Sequence, residues 1–516
     1  MGVIKFGFIG ILLSFAYFLF VKKDSLISFV KAFDRTGNGY GARLACSAVF
    51  GSNRSLESVL SAELTFPPVK FGRKFTLDEN ARCIHVQAKW PWAAEGALAC
   101  HRSHRLGCHL LAQNGISYDL PGISDEPNFE KAEWPIGDQQ NQSRLKQAQA
   151  RVDYESLERV VDEHFSNKQL HARALLLIVD GEIVYEKYGD GCNANTPLLG
   201  WSATKSVLST LIGLRVRDGA LQLKTSLASL LPDWQDVNGS NVPHLQPITV
   251  EQALQMRDGM DVDEKYAPGT PVTDMLFIDG SVDKLMNKAV ISGLRPRGQG
   301  CFHYSSVTTN VLSKAFRNTF TTIERALAYP TEALFRPLGA RSFRIEASAD
   351  GTFVGSSFGW ATARDWARLG LLYLYQGKWY KEGASSADPA QRTHQLLPQE
   401  WVSFSATPAP TSRGYYGAHF WLGGNNTSSD GDDVQSEQRR SECDALFPSR
   451  INPDRSWLRH SFPQGTFLMH GFEEQCVAIN PERGVVLVRL GATKEVVLKW
   501  DKPKFYKEVF QAVKTR

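Results

Sequence analysis

From Tyr154 to Phe165 apolar residues recur at helical spacing, Leu157, Val160, Val161 and Phe165, with acidic residues between them, which predicts an amphipathic helix. Two β-branched and apolar runs follow, Arg173–Val179 and Glu182–Tyr188. Asp180-Gly181 between them predicts a hairpin, because both residues tolerate the left-handed backbone of a two-residue turn. Apolar residues at 207, 208, 211, 212 and 214 predict a buried helix that begins near Ser202, and Val307–Ala315 predicts another. Near the C-terminus, Gly465–Met469, Gln475–Ile479 and Gly484–Leu490 read as strands, the last two joined by Asn480-Pro481-Glu482-Arg483. A helix over about 504–514 closes the chain. Strands at both ends of a unit with helices between them predict an α/β (α+β) domain, its antiparallel sheet assembled from both ends around an inserted helical lobe.

The hydropathy pattern also divides the chain. Phe6 to Val21 carries no charge and is flanked by Lys5 and by Lys22-Lys23. It is short for a bilayer span, and no small-x-small cleavage site follows it. We expect residues 1–24 to be an uncleaved N-terminal membrane anchor, with the body exported to a periplasmic, luminal or extracellular space. Residues 25–150 form an extension: short strands and loops over about 38–112, then a polar linker to 150. The main domain occupies 151–516, with a Ser/Asp/Arg-rich surface insertion at 423–460.

Composition changes this picture little. The 516 residues are 42% hydrophobic and 22% charged with net charge +4, and no basic block suggests a nucleic-acid partner. Eight cysteines (46, 83, 100, 108, 192, 301, 443, 476) show no C-x-x-C pair, which argues against a structural zinc site; they fit an oxidising compartment, as do sequons at Asn53, Asn141, Asn238, Asn425 and Asn426.

The candidate chemistry lies at Trp201-Ser202-Ala203-Thr204-Lys205-Ser206. A Ser and a Lys one helical turn apart share a face, so the amine can reach the hydroxyl, and the positive helix end favours the deprotonated form of each. Ser-x-x-Lys also occurs at Ser28/Lys31, Ser143/Lys146 and Ser281/Lys284, but only Ser202/Lys205 opens a strongly apolar helix. A second box follows at Gly298-Gln299-Gly300-Cys301-Phe302-His303-Tyr304-Ser305-Ser306. A Tyr on a loop before a helix can shuttle protons if a cation such as Lys205 stands near it. Taken alone, Ser202 could be a helix cap beside a solvated Lys, and Tyr304 a packed aromatic.

These boxes in order, WSATKSVLSTLIG (201–213), LQMRDGM (254–260), FHYSSVTTNVL (302–312), ATARDWARLGLLYL (361–374) and FLMHGFEEQCVAINPERGVVLVRLG (467–491), resemble the class C β-lactamase and penicillin-binding-protein superfamily of serine hydrolases. The similarity is greatest to its esterase and 6-aminohexanoate-dimer hydrolase branch. CSAVF at 46 and GCHLL at 107 resemble the N-terminal extension of bacterial members, and a Cys46–Cys108 disulfide is implied with it.

The resemblance implies a β-lactamase/transpeptidase-like fold with Ser202 as nucleophile, Lys205 as its partner and Tyr304 as proton shuttle, and an oxyanion hole from the amides of Ser202 and Met469. Ser306, His470, Gly471 and Glu474 are the candidates for touching substrate. The expected reaction is hydrolysis of a small-molecule or peptide-like ester or amide through an acyl-enzyme, with no cofactor and no metal. The third box departs from the lactamase pattern: counted back from Pro481, the Lys-Thr-Gly position falls on Thr466-Phe467-Leu468, and Ser306 stands where an Asn is usual. Both differences argue against β-lactams as substrates. Glu474 replaces a common Gly; it could read an amine, and we expect it to face solvent.

Two alternatives are compatible with parts of the sequence. Gly355-Ser356-Ser357-Phe358-Gly359 matches the nucleophile elbow of α/β-hydrolases, with Asp430 or Asp432 and His470 as partners, but no central parallel strand precedes it. A non-catalytic binding or scaffold protein on the same fold is the other; it would have no chemical reason to keep Ser202, Lys205 and Tyr304 together.

Overall fold

The computed structural model describes residues 23–516 apart from 66, 71, 91–92, 112–131, 233–247, 261, 263, 279–299, 382–392, 425–433, 447–455 and 495–499. The apolar segment expected as an anchor lies outside the described residues, and no helix among those described is long and apolar enough to cross a membrane. Asn238, Asn425, Asn426, Asp430 and Asp432 also lie outside them.

The extension departs from its reading as strands and loops. It opens with a long helix, α1 (Lys23–Ser52), that runs through Gly37, Gly39 and Gly41. Isolated glycines cost about 1 kcal/mol each in an exposed helix, which is why the sequence read as broken. Here α1 is buried from Tyr40 to Ala48, and the missing side chains let other backbone approach: a Cβ on Gly37 would lie 2.1 Å from the Pro68 carbonyl oxygen. Close packing overrides propensity.

Against α1 lies an antiparallel sheet in the order β1 (Arg73–Asp78), β2 (Cys83–Ala88), β3 (Ala97–Ser103), β4 (Gly107–Leu110). Cys83 and Cys100 face each other across β2 and β3 and are bonded; Cys46–Cys108 joins α1 to β4, the pairing the resemblance implied. The buried carboxylate of Glu346 in the main domain accepts from Arg43 Nε (3.4 Å), Ser47 Oγ (2.5 Å) and the Cys108 amide (3.2 Å). The extension is thus docked on the main domain. The described end of the supposed linker is docked too: Trp134 Nε1 donates to the Gly181 carbonyl (2.7 Å), and Arg368 Nε to that of Pro135 (2.6 Å).

Helices α2 (Gln142–Gln149) and α3 (Tyr154–Ser166) lead into the hairpin β5 (Ala172–Val179) and β6 (Glu182–Tyr188), with Asp180 and Gly181 both at positive φ. The helical lobe follows, with α4 (Thr204–Arg217), α5 (Ser306–Arg317) and α6 (Ala363–Leu374). Next come β7 (Trp421–Leu422), the insertion helix α7 (Val434–Leu446), then β8 (Phe467–Gly471), β9 (Gln475–Asn480), β10 (Val485–Gly491) and the terminal helix α8 (Lys502–Gln511). The six-stranded sheet has the order β7-β8-β9-β10-β5-β6, antiparallel throughout. The first and last strands of the domain meet at β5 and β10, as predicted. Alternate residues serve two layers: Leu175, Leu177 and Val179 pack with α3 and α8, while Ala174, Leu176 and Ile178 belong to the core shared with α6. Covering both faces explains why β5 is apolar throughout instead of alternating with polar residues.

Candidate active site

Leu198–Leu199 pairs with Trp360 and Ala361, and the Gly200 amide donates to the Gly359 carbonyl at 2.8 Å. This fixes the chain just before Ser202. Trp201 then takes φ +45°, Trp201–Ala203 makes a single 3-10 turn, and α4 begins at Thr204. Ser202 therefore stands one turn ahead of α4, partly exposed, while Lys205 is buried within it. No side chain caps α4; its first amide, that of Thr204, donates instead to the Trp201 and Ser202 carbonyls of the preceding turn.

Lys205 Nζ has three neighbours: Ser202 Oγ at 3.1 Å, Ser306 Oγ at 3.0 Å and the Ser356 carbonyl at 3.0 Å. Ser306 Oγ in turn donates to Glu264 Oε1 (2.5 Å), and its amide donates to Glu264 Oε2 (2.8 Å). Since the Ser306 proton is committed to Glu264, Ser306 Oγ can only accept from Lys205. A neutral amine has two protons and one lone pair. Ser306 Oγ and the Ser356 carbonyl take the protons, and the lone pair is left for the Ser202 hydroxyl. Burial pushes the Lys205 amine down to about 8, although the Glu264 carboxylate works the other way.

The Tyr304 ring lies beside this amine, its centroid 4.9 Å from Lys205 Nζ, and packs on Trp421 (5.2 Å) and Tyr416 (5.9 Å). Its loop is held by the LQMRDGM box. The His303 amide donates to the Met256 carbonyl (2.7 Å), the Gly300 amide to that of Arg257 (2.9 Å), and the Cys301–Cys443 disulfide ties the loop to α7.

Strand β8 supplies the far wall, in a register different from the one expected. A Cβ on Gly471 would stand 3.0 Å from the Ser202 nitrogen and 2.2 Å from the Gly200 carbonyl oxygen, so only glycine lets the strand close on Ser202. The box counted onto Thr466-Phe467-Leu468 thus falls three residues later, on Met469-His470-Gly471, because only a tight turn (472–474) separates β8 from β9. Met469 now occupies the Lys position. The Gly423 amide donates to the Thr466 carbonyl, so even-numbered residues of β8 face β7 and odd-numbered ones face β9. The Met469 amide is therefore turned into the β8–β9 ladder opposite Val477, and this corrects its reading as an oxyanion donor. The next amide on the open side beyond Gly471 is that of Phe472.

Glu474 does not face solvent. It is buried at positive φ, and its carboxylate accepts from Lys502 Nζ (2.9 Å) and meets His470 Nε2 at 3.5 Å. Burial opposes ionisation there, but His470 and Lys502 win and hold the carboxyl well below its usual range. Glu473 is buried likewise, paired with Lys494 and with Trp201 Nε1 at 3.2 Å.

The Gly-x-Ser-x-Gly segment is no elbow. Ser357 Oγ meets Ser356 Oγ (2.9 Å), the large sheet has no parallel strand among the described residues, and the segment meets Lys205 through the Ser356 carbonyl and Thr204 through Gly359, whose amide donates to Thr204 Oγ1 (2.8 Å). Ser28/Lys31 and Ser143/Lys146 are exposed pairs on α1 and α2. Sequence reasoning missed Glu264. The available signal was the missing Asn two residues after Tyr304, which left Lys205 in need of another polar support.

A family model described as Beta-lactamase matches residues 157–496, more than half of the chain. The chain belongs to the beta-lactamase family. Among curated proteins no relative matches. Solved structures that resemble it include a Bacillus anthracis protein assigned as a 6-aminohexanoate-dimer hydrolase (15% identity, 69% of this chain and 80% of that one, TM-score 0.45). A family VIII carboxylesterase (12%, 70% and 97%, 0.47) and a D-alanine carboxypeptidase from Burkholderia cenocepacia (13%, 72% and 100%, 0.45) are also similar. The match excludes the extension up to Ser156.

Proposed function

We propose that this beta-lactamase-family protein is a serine hydrolase that cleaves an ester or amide through an acyl-enzyme on Ser202. The observation that carries the reading is the 3.1 Å contact between Ser202 Oγ and a buried Lys205 amine whose other two neighbours are acceptors. In the neutral form Lys205 takes the Ser202 proton as Oγ attacks the carbonyl carbon. Charge developing on the carbonyl oxygen is met by two amides, of Ser202 and of Phe472 in place of Met469. As the carbon–leaving-group bond breaks, the proton held by Lys205 returns to the leaving alcohol or amine through the Tyr304 hydroxyl. Water then enters, loses a proton along the same route and releases the acid.

Met469 in the third box, where lactamases place a Lys, supports a substrate without a recognised carboxylate. Residues 1–24 are assigned on sequence alone as a membrane anchor that holds an exported domain. The deciding experiment is hydrolysis of p-nitrophenyl acetate by the wild type and by Ser202→Ala. Turnover lost in a folded Ser202→Ala supports the nucleophile; turnover equal in both contradicts it, and wild-type turnover no faster than buffer favours the scaffold reading.

A further inference from the structure

The extension reaches the nucleophile. Tyr40 on α1 is buried, and its ring stacks on that of Trp201, centroids 6.2 Å apart and planes 24° apart. Trp201 immediately precedes Ser202 and sits at φ +45°, a conformation that bulky L-residues rarely adopt and that persists only where the surroundings hold it. Three aromatic rings and one carboxylate stand around its indole. Phe358 of the lobe is 5.9 Å away, Phe472 after β8 packs edge-on at 5.6 Å, and Glu473 takes the indole N–H. Phe472 is half exposed, so Tyr40 supplies the enclosed aromatic wall on the side of the extension.

Tyr40 is itself fixed. Phe277 packs on its edge at 4.8 Å, and one turn along α1 the Arg43 guanidinium lies 3.9 Å above the Phe358 ring and donates to the Leu276 carbonyl. The Glu346 contacts and the Cys46–Cys108 disulfide bind the same stretch of α1 to the main domain. Two of the three rings around Trp201 are thus supplied or braced by α1.

We propose that Tyr40 is a positioning residue for the nucleophile: the N-terminal extension, through this ring, holds Trp201 in the left-handed conformation that presents Ser202 to Lys205 and to the Gly471–Phe472 backbone. The inference rests on Ser202 being the nucleophile. Without the ring, Trp201 relaxes toward negative φ and Ser202 leaves its contacts for part of the time. That loss lowers the rate of attack and leaves the rest of the substrate site in place.

The test uses the full chain carrying Tyr40→Ala, Tyr40→Leu and Tyr40→Phe, with p-nitrophenyl acetate as substrate and near-ultraviolet circular dichroism to establish folding. Tyr40→Leu keeps an apolar filler without a flat face and carries the test if Tyr40→Ala does not fold. Expected are a kcat at least tenfold lower in Tyr40→Leu with KM changed less than twofold, an equal fall in the rate of fluorophosphonate labelling of Ser202, and near wild-type values in Tyr40→Phe. Wild-type kcat in folded Tyr40→Leu overturns the inference, as does Tyr40→Phe failing like Tyr40→Leu, which would assign the effect to the hydroxyl. Loss of the wild type's own labelling and turnover would instead overturn the reading of Ser202, and this inference with it.

Discussion

Replacing Glu264 by Gln should move the pH dependence of the enzyme without removing its activity. The carboxylate is joined to Lys205 through Ser306 Oγ by contacts of 2.5 and 3.0 Å, which places its oxygen about 5 Å from the amine. Unit charges at that distance interact by about 3 kcal/mol at an effective dielectric near 20. Glu264 is partly exposed, so solvent removes roughly half of this, leaving about 1–2 kcal/mol, or about one pH unit. Burial sets the Lys205 amine near 8, and Glu264 favours its charged form. In the proposed mechanism the reactive form is the neutral amine, so kcat/KM should rise with pH through this value, and without the Glu264 charge the rise should occur about one unit lower. Glutamine still accepts one bond from Ser306 and offers its amide to Ser306 Oγ, so the fold should survive. The assay is kcat/KM for a neutral ester from pH 5.5 to 9.5, a quantity that reports the free enzyme. An unmoved acidic limb, or one displaced upward, would refute the electrostatic linkage.

Lys205→Met should lower kcat by two orders of magnitude or more, and adding it to Ser202→Ala should cost nothing further, because the two residues act as a unit; additive losses in a double-mutant series would contradict this. Ser357→Ala should retain wild-type activity within about twofold, equivalent to about 0.4 kcal/mol, since Ser357 makes only a local hydroxyl contact; inactivation would revive the elbow. Burial holds His164 down to about 2, and His109 and His419 to about 3, so these side chains are neutral in the folded chain. Their folded values lie below the unfolded 6.5, so their stabilisation is present above pH 6.5 and is lost as pH falls toward 3, at about 1.4 kcal/mol per unit for each. Thermal melts at pH 7.5 and 5.5 should show a large fall in Tm; an unchanged Tm would count against these histidines being buried and neutral.

The main sheet was legible because its signals are local. Asp180-Gly181 dictates a hairpin, and the apolar runs of β5, β9 and β10 leave no choice of buried face. The extension was not legible, since Gly37, Gly39 and Gly41 weaken a helix in water and suit one only where other chain packs closely, here the Pro68 and Phe277 backbones on Gly37 and Gly39 and the Phe75 and Val69 side chains on Gly41. Ser202, Lys205 and Tyr304 could be named from their boxes because each sits at a fixed offset from a helix start. The third box was misplaced by counting from Pro481; the position of Gly471 depends on the length of a turn, and only the closeness of its backbone to Ser202 reveals it. Glu264 escaped because its role is made by a contact across 42 residues of chain with Ser306. Glu474 looked like a surface acid, and Lys502 and His470, which pay for its burial, converge on it only in three dimensions.

The most direct test of Ser202 as an activated nucleophile is peptide mapping by mass spectrometry of the folded protein after reaction with a fluorophosphonate. A single adduct is expected, on Ser202, that forms faster as pH rises through 8 and is absent from Ser202→Ala. An adduct on Ser357, or none on folded protein, would contradict it.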